Sequence, residues 1–180
     1  MQATQFLVNT LFDLYLMVAI LRVWLQLARA DFYNPVSQFV VKATNPLLIP
    51  LRKVVPGLGG IDWAGVLLVI FVAFAKVATL QLMFGGAFPW VSILVASLIT
   101  VVQEVFTLVF WVTIIRAILS WISQGYNPIE ALLHQLTDPL LAPVRKVIPP
   151  LGGLDLSLLV FLIALQFVQL LFNDFLSRLL

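Results

Sequence analysis

The sequence predicts an all-α membrane protein made of two tandem repeats. In each repeat, two transmembrane helices are joined by an amphipathic, proline-rich loop that lies in the membrane plane or re-enters the membrane. Of the 180 residues, 62% are apolar and only 10% are charged, which is too little charge to cover a surface exposed to water. The apolar residues lie in long runs, and a proline-rich motif occurs twice.

Four apolar segments are long enough to cross a hydrocarbon core of about 30 Å, which takes about 20 helical residues. They are residues 6–28, 63–84, 97–123 and 157–176. Glycine and proline are absent between Trp90 and Ser123. Residues 88–103 therefore form either the start of an unusually long third helix or a separate interfacial helix.

Residues 34–62 align with residues 127–155 without a gap and are identical at 15 of 29 positions. This similarity divides the chain into a first repeat, residues 1–88 with its loop at 32–62, and a second repeat, residues 89–180 with its loop at 125–155. Two spans per repeat give both repeats the same orientation. The main motif positions are Asn34, Pro35, Pro46, Pro50, Pro56, Gly59, Gly60 and Asp62, repeated as Asn127, Pro128, Pro139, Pro143, Pro149, Gly152, Gly153 and Asp155.

Each loop begins with Asn-Pro, which places a capping side chain before a proline at the first helical position. A second Asn-Pro or Asp-Pro, at Asn45 and Asp138, is expected to restart the chain. The next proline, Pro50 or Pro143, lies too deep for an undisturbed helix and is expected to kink it.

Apolar residues in both loops recur at i, i+3, i+4 and i+7, which predicts one apolar stripe on a short helix. The stripes are Val36, Phe39, Val40 and Ala43 in the first loop, and Ile129, Leu132, Leu133 and Leu136 in the second. The Gly-Gly pair that follows predicts a turn, and Asp62 and Asp155 are expected to cap the next spans.

The loop cations Arg52, Lys53, Arg145 and Lys146 are expected to meet anionic lipid head groups, each worth about 1 kcal/mol near the membrane surface. The alternative is a short connector whose cations only fix the topology. The loops and the chain just before the first of them hold Arg29, Lys42, Arg52, Lys53, Arg145 and Lys146, whereas the other side holds only Arg178, so the positive-inside rule places the loops in the cytoplasm and both termini outside.

Ionisable groups inside lipid cost several kcal/mol unless they are paired or hydrated. Asp13 and Lys76 each lie about 12 Å from the outer end of their span, close enough in depth to pair. The predicted intramembrane polar layer comprises Asn9, Asp13, Lys76, Gln103, Glu104 and Gln169. Two interpretations stay open: a set of polar contacts that fixes helix packing, and a polar path for ions or water.

Arg22 and Arg116 lie near the loop ends of their spans. Their long side chains are expected to extend, or snorkel, to the membrane interface. A role in gating is the second interpretation.

The sequence predicts no enzyme, no cofactor and no metal site. Cysteine is absent and His134 is the only histidine, so neither a zinc site nor a nucleophile–base set can be assembled. No glycine-rich phosphate loop is present. No run of Lys and Arg exceeds two residues, which argues against nucleic-acid binding.

The twice-used motif Asn/Asp-Pro-Leu-Leu-x-Pro-Leu/Val-Arg-Lys-Val-Val/Ile-Pro-x-Leu-Gly-Gly-Ile/Leu-Asp resembles that of the YggT family, called YlmG in Gram-positive bacteria and plastids. The resemblance covers essentially the whole chain and implies a protein of the bacterial inner membrane. Bacterial members are linked to osmotic-stress tolerance and ion balance, and others to cell division and nucleoid distribution. A plastid relative is linked to haem attachment, which is not carried over because this chain has no haem ligand candidate beyond His134.

Two functions are therefore expected as alternatives. The first is osmotic-stress tolerance and ion homeostasis by a channel-like oligomer or a transport accessory. The second is a membrane scaffold or assembly factor that organises lipids, division machinery or other membrane proteins through its amphipathic basic loops. The expected partners are anionic lipids, further copies of the chain and other membrane proteins.

Overall fold

The computed structural model describes residues 2–57, 59–83, 89–122, 127–147 and 156–179. These residues form six α-helices. The helices are α1 (Gln2–Leu27), α2 (Pro35–Val54), α3 (Trp63–Met83), α4 (Trp90–Ile122), α5 (Pro128–Val147) and α6 (Leu156–Leu179). The prediction of an all-α membrane protein is confirmed.

Four of these helices are long and apolar enough to cross a membrane, and they match the four predicted spans. The third predicted span begins seven residues too late, because α4 is continuous from Trp90 and runs for 33 residues. Residues 90–103 therefore belong to this helix. Without glycine or proline, nothing in the sequence ends the helix earlier.

The predicted caps of both loop helices are confirmed. The side-chain oxygen of Asn34 accepts a hydrogen bond from the backbone N–H of Val36 at 2.9 Å, with Pro35 at the first helical position. The side-chain oxygen of Asn127 does the same for Ile129 at 3.0 Å. Each Asn-Pro pair thus satisfies an N–H group that would otherwise lack a partner.

The expected restart at Asn45 and Asp138 is wrong, because α2 and α5 are continuous helices of 20 residues. Besides the proline at its first position, each helix contains two interior prolines, spaced four residues apart. Pro46 and Pro50 both lie on the exposed face of α2, so their rings and the carbonyl groups they leave unpaired point away from the packed side.

The predicted stripe of α2 has the right period but a different phase. The structure buries Ser37, Val40, Thr44 and Leu48. Phe39, which the predicted stripe includes, is 63% exposed. In α5, Leu132, Leu133 and Leu136 are buried as predicted, together with Thr137 and Leu141, while Ile129 is exposed.

The chain forms two compact units, Met1–Val105 and Phe106–Leu180. In the first unit, α1 packs against α2 and α3, and α2 packs against α3. The approach is close at Gly65 of α3, where an added Cβ would lie 3.1 Å from Val23 Cγ2 and 3.2 Å from Asp62 Oδ2. Small residues allow this close helix contact in membranes.

Helix α1 ends in a turn that directs the chain into the first loop. The N–H of Ala30 bonds the carbonyl of Leu25, the N–H of Arg29 bonds that of Gln26, and Arg29 has a φ of 50°. This is a Schellman-type cap with a non-glycine residue in the left-handed region.

The Gly59-Gly60 turn is also confirmed, with φ values of 66° and 79°. Pro149, Gly152, Gly153 and Asp155 of the second copy lie outside the described residues.

In the second unit, α5 packs against α6. Leu132, Leu136 and Leu141 of α5 are almost fully buried, as is Arg116 from the last turns of α4. The buried face of α5 is therefore apolar except where a charged group from α4 meets it.

Candidate functional site

Asp13 of α1 and Lys76 of α3 form an ion pair between two membrane-spanning helices. The Lys76 ammonium donates a hydrogen bond to Asp13 Oδ1. The Lys76 side chain is 14% exposed and that of Asp13 is 29% exposed. The equal depths of the two residues in their spans predict this contact, and it compensates part of the cost of placing both charges in lipid.

A second carboxyl group joins the pair. Glu104 of α4 lies beside Asp13 and Lys76, within electrostatic range of both. The second oxygen of Glu104, Oε2, is buried without a hydrogen-bond partner. The three residues are called the acidic–lysine cluster below.

The other residues of the predicted polar layer lie at different places. Asn9 lies one turn before Asp13 on the same face of α1 and is half-buried. Gln103 is exposed. Gln169 is half-buried on α6 and belongs to the second compact unit. The structure thus brings three of the six predicted residues together.

Arg116 is the centre of a polar network in the second unit, and its side chain is almost fully buried. It donates hydrogen bonds to the Thr137 hydroxyl and to His134 Nδ1, the latter at 2.8 Å. It also forms an ion pair with Asp138 Oδ1 at 2.9 Å. Arg145 contacts the same oxygen of Asp138 at 3.0 Å, so one carboxylate joins two guanidinium groups.

His134, Thr137 and Asp138 are contact residues that the sequence interpretation missed. Because a guanidinium has no acceptor, the contact with Arg116 requires Nδ1 of His134 to accept, which places the proton of the neutral ring on Nε2. Thr137 and Asp138 follow His134 by three and four residues, so all three lie on one face of α5. That spacing, in a helix that comes soon after Arg116, is the signal that could have identified them.

Arg22 is the corresponding residue of the first unit, and it is 7% exposed. Its guanidinium lies over the Phe32 ring, 5.1 Å from the ring centre. Its Nε and Nη1 atoms are buried without a hydrogen-bond partner. The expectation that Arg22 and Arg116 extend outward to the interface is therefore wrong: both are enclosed, because α2 and α5 cover the ends of the spans that carry them.

The loop cations divide into two kinds. Arg52 forms an ion pair with Asp62 at 2.5 Å, and Arg145 with Asp138. Asp62 precedes α3, as the predicted cap requires, but its carboxylate binds Arg52. Lys53 and Lys146 are exposed at the ends of α2 and α5. Within the described residues, no group of three or more His, Asp or Glu side chains could hold a metal ion.

Comparison with known proteins gives a consistent set of relatives. The model of the family described as CCB3/YggT matches residues 1–83 and 95–176. An uncharacterized protein in the proC 3′ region of Vibrio alginolyticus is 51% identical, with 97% of this chain and 95% of the relative covered. The uncharacterized protein YggT of Escherichia coli K12 is 42% identical, with coverage of 94% and 89%. The uncharacterized protein PA0392 of Pseudomonas aeruginosa is 44% identical, with coverage of 94% and 87%. No solved structure matches the chain significantly.

Proposed function

Since the chain belongs to the CCB3/YggT family, we propose that it is a non-enzymatic protein of the bacterial inner membrane that serves osmotic-stress tolerance and ion homeostasis. It acts as a channel-like oligomer or as an accessory to a transporter. Its two basic loops face the cytoplasm and both termini lie outside, as the excess of Lys and Arg in the loops favours.

The observation that carries this proposal is the acidic–lysine cluster. Three ionisable side chains from three membrane-spanning helices meet at Asp13, and one carboxylate oxygen of Glu104 has no partner. Contacts that served packing alone would be expected to satisfy every polar atom. An unsatisfied acceptor among partly exposed charges favours a place where a proton, a cation or water binds.

The four membrane-spanning helices found among the described residues are few for a pore within one subunit. The proposal therefore includes a homo-oligomer, in which copies of the chain together enclose the path. Large apolar side chains are exposed along the spanning helices, Phe71 and Trp111 among them, and provide surface for lipid or for further copies.

The test is ion flux into liposomes that contain the purified protein, under an osmotic gradient. Lys76→Met leaves two carboxyl groups without their cation and is expected to change the flux rate by at least about tenfold, a difference of about 1.4 kcal/mol in the barrier. Asp174→Asn, at an exposed position of α6, is the matched control and is expected to keep the wild-type rate. Folded wild-type protein that conducts no ion under any osmotic gradient would refute a channel-like oligomer and leave only the accessory role.

The exposed faces of the loop helices favour a second candidate, a non-conducting scaffold or assembly factor that organises lipids, division machinery or other membrane proteins. Phe39, Ile49 and Val54 of α2 are exposed large apolar side chains, and Lys53 lies beside them. Helix α5 likewise exposes Val147 next to Lys146. An apolar surface bordered by cations suits the boundary between head groups and acyl chains.

This second candidate is tested with the double variant Lys53→Gln/Lys146→Gln. Two exposed cations at about 1 kcal/mol each predict a loss of about thirtyfold in preference for anionic over zwitterionic lipid. Lipid association is measured on protein reconstituted in mixed bilayers, and membrane partners are recovered in parallel. Arg178→Gln removes one cation at the end of α6 and serves as the control. Unchanged lipid preference and unchanged partner recovery in the double variant would exclude the scaffold.

A further inference from the structure

The two copies of the motif differ in one charge at a position where the structure shows what that charge does. Residue n of the first loop aligns with residue n + 93 of the second, so Asn45 stands where Asp138 stands, and Arg52 where Arg145 stands. Arg22 corresponds to Arg116 after a shift of one residue. The first copy therefore keeps both arginines and lacks the carboxylate.

In the second unit, that carboxylate contacts both guanidinium groups. Asp138 Oδ1 lies 2.9 Å from Arg116 Nη1 and 3.0 Å from Arg145 Nη1. The Asp138 side chain is 46% exposed, whereas Arg116 is almost fully buried. An anionic oxygen thus reaches the buried arginine from the exposed side of α5.

In the first unit, the equivalent position carries no anion. Arg52 and Asp62 are the charged groups that act on Arg22, and Asp62 is already the partner of Arg52. The buried Nε and Nη1 atoms of Arg22 have no hydrogen-bond partner.

A buried guanidinium with unused N–H groups is costly, and the cost disappears when an anion accepts those hydrogen bonds. Access exists from the loop side, because Asn45 is half-buried and the Arg52 side chain is 40% exposed. Arg22 and Arg52 together form the donor set that proteins use for phosphate, since guanidinium groups bind its oxygens in pairs.

We propose that Arg22 and Arg52 bind a phosphate group at the place that corresponds to the Asp138 carboxylate of the second unit. A phospholipid head group and a small soluble phosphate share this chemistry, and the experiment below separates them. The site is distinct from the acidic–lysine cluster, so it stands whether or not the protein conducts ions.

The test counts bound ligands by native mass spectrometry on the purified full chain in lipid-free detergent. One series contains phosphatidylglycerol with phosphatidylcholine as the comparison, and another contains glycerol 1-phosphate or inorganic phosphate. The wild type is expected to bind one phosphate-containing molecule per chain in at least one series. Saturation by phosphatidylglycerol alone identifies a lipid head group, and saturation by the soluble compounds identifies a free phosphate.

Two substitutions exchange the side chains that the two motif copies carry at this position. Asn45→Asp supplies the missing carboxylate from within and is expected to weaken binding at least tenfold while raising the melting temperature. Asp138→Asn removes the built-in carboxylate and is expected to create a second site, so that two molecules bind per chain. Arg178→Gln is the control and is expected to bind like the wild type.

Absence of saturable binding in both series would overturn the proposal, and so would unchanged binding by a folded Asn45→Asp protein. If Asp138→Asn does not fold, Asn45→Asp still decides the question, because it adds a favourable charge and keeps both arginines. Circular dichroism and a monodisperse elution profile establish that each variant is folded before binding is measured.

Discussion

Replacing Arg116 by glutamine is expected to lower the free energy of unfolding by about 3–6 kcal/mol, because two charge-assisted hydrogen bonds of about 1.5–3 kcal/mol each are lost. The substitution leaves the Thr137 hydroxyl and His134 Nδ1 without their donor and leaves Asp138 with Arg145 alone. The measurement is reversible unfolding of the protein in detergent, followed by circular dichroism. Arg116→Lys is expected to recover only part of the loss, because an ammonium group cannot reach three acceptors as a planar guanidinium does.

The matched control is the same substitution in the first unit. In lipid-free detergent, Arg22→Gln is expected to cost less than about 1 kcal/mol, because it removes a buried charge whose Nε and Nη1 have no partner. The two arginines occupy corresponding positions near the ends of their spans, so helix propensity and depth are the same. Equal losses for Arg116→Gln and Arg22→Gln would contradict the account of the Arg116 network.

Reversing one charge of the acidic–lysine cluster is expected to have the second-largest effect. Asp13→Lys places two ammonium groups side by side in lipid and is expected to cost about 3 kcal/mol or more. In the exchanged protein, Asp13→Lys with Lys76→Asp, the new lysine faces both the new aspartate and Glu104, and most of that loss is expected to return. Stability of the two single variants and the double variant in detergent gives the coupling energy directly.

The exchange also has a clear contrary result. If each single reversal lowers stability and the double variant lowers it by the sum of the two, Asp13 and Lys76 do not interact and the ion pair is wrong. Asn9→Lys is the positional control, since Asn9 lies on the same face of α1 one turn away from Asp13. It tests whether any added cation at this depth has the same cost.

Depth in the membrane can be predicted from the sequence, because every helical residue advances the chain by about 1.5 Å. That rise is enough to bring Asp13 and Lys76 to the same level. Rotation of one helix relative to another is not encoded in depth, so Glu104 could be placed in the layer but not in contact with Asp13. Depth along its span also placed Gln169 in the predicted layer, but Gln169 lies in the other compact unit.

Burial of the arginines could not be predicted from their position along the spans. Arg22 and Arg116 lie where long side chains usually extend to the interface. What encloses them is the packed face of α2 and α5. In α2 this face carries Thr44 and Leu48, and Pro46 and Pro50 lie on the exposed face. A hydrophobic period gives the spacing of a buried stripe and does not by itself give its direction.

The length of α4 has a consequence for the bilayer around it. Its 33 residues extend over about 50 Å, against a hydrocarbon thickness of about 30 Å. Tilt alone would need an angle of more than 50°, beyond the range of about 0–40° found for transmembrane helices. Hydrophobic mismatch therefore requires that about two to four turns of this helix, depending on its tilt, emerge into the head-group region or that the bilayer thicken locally, and a membrane of greater thickness would accommodate it at lower cost.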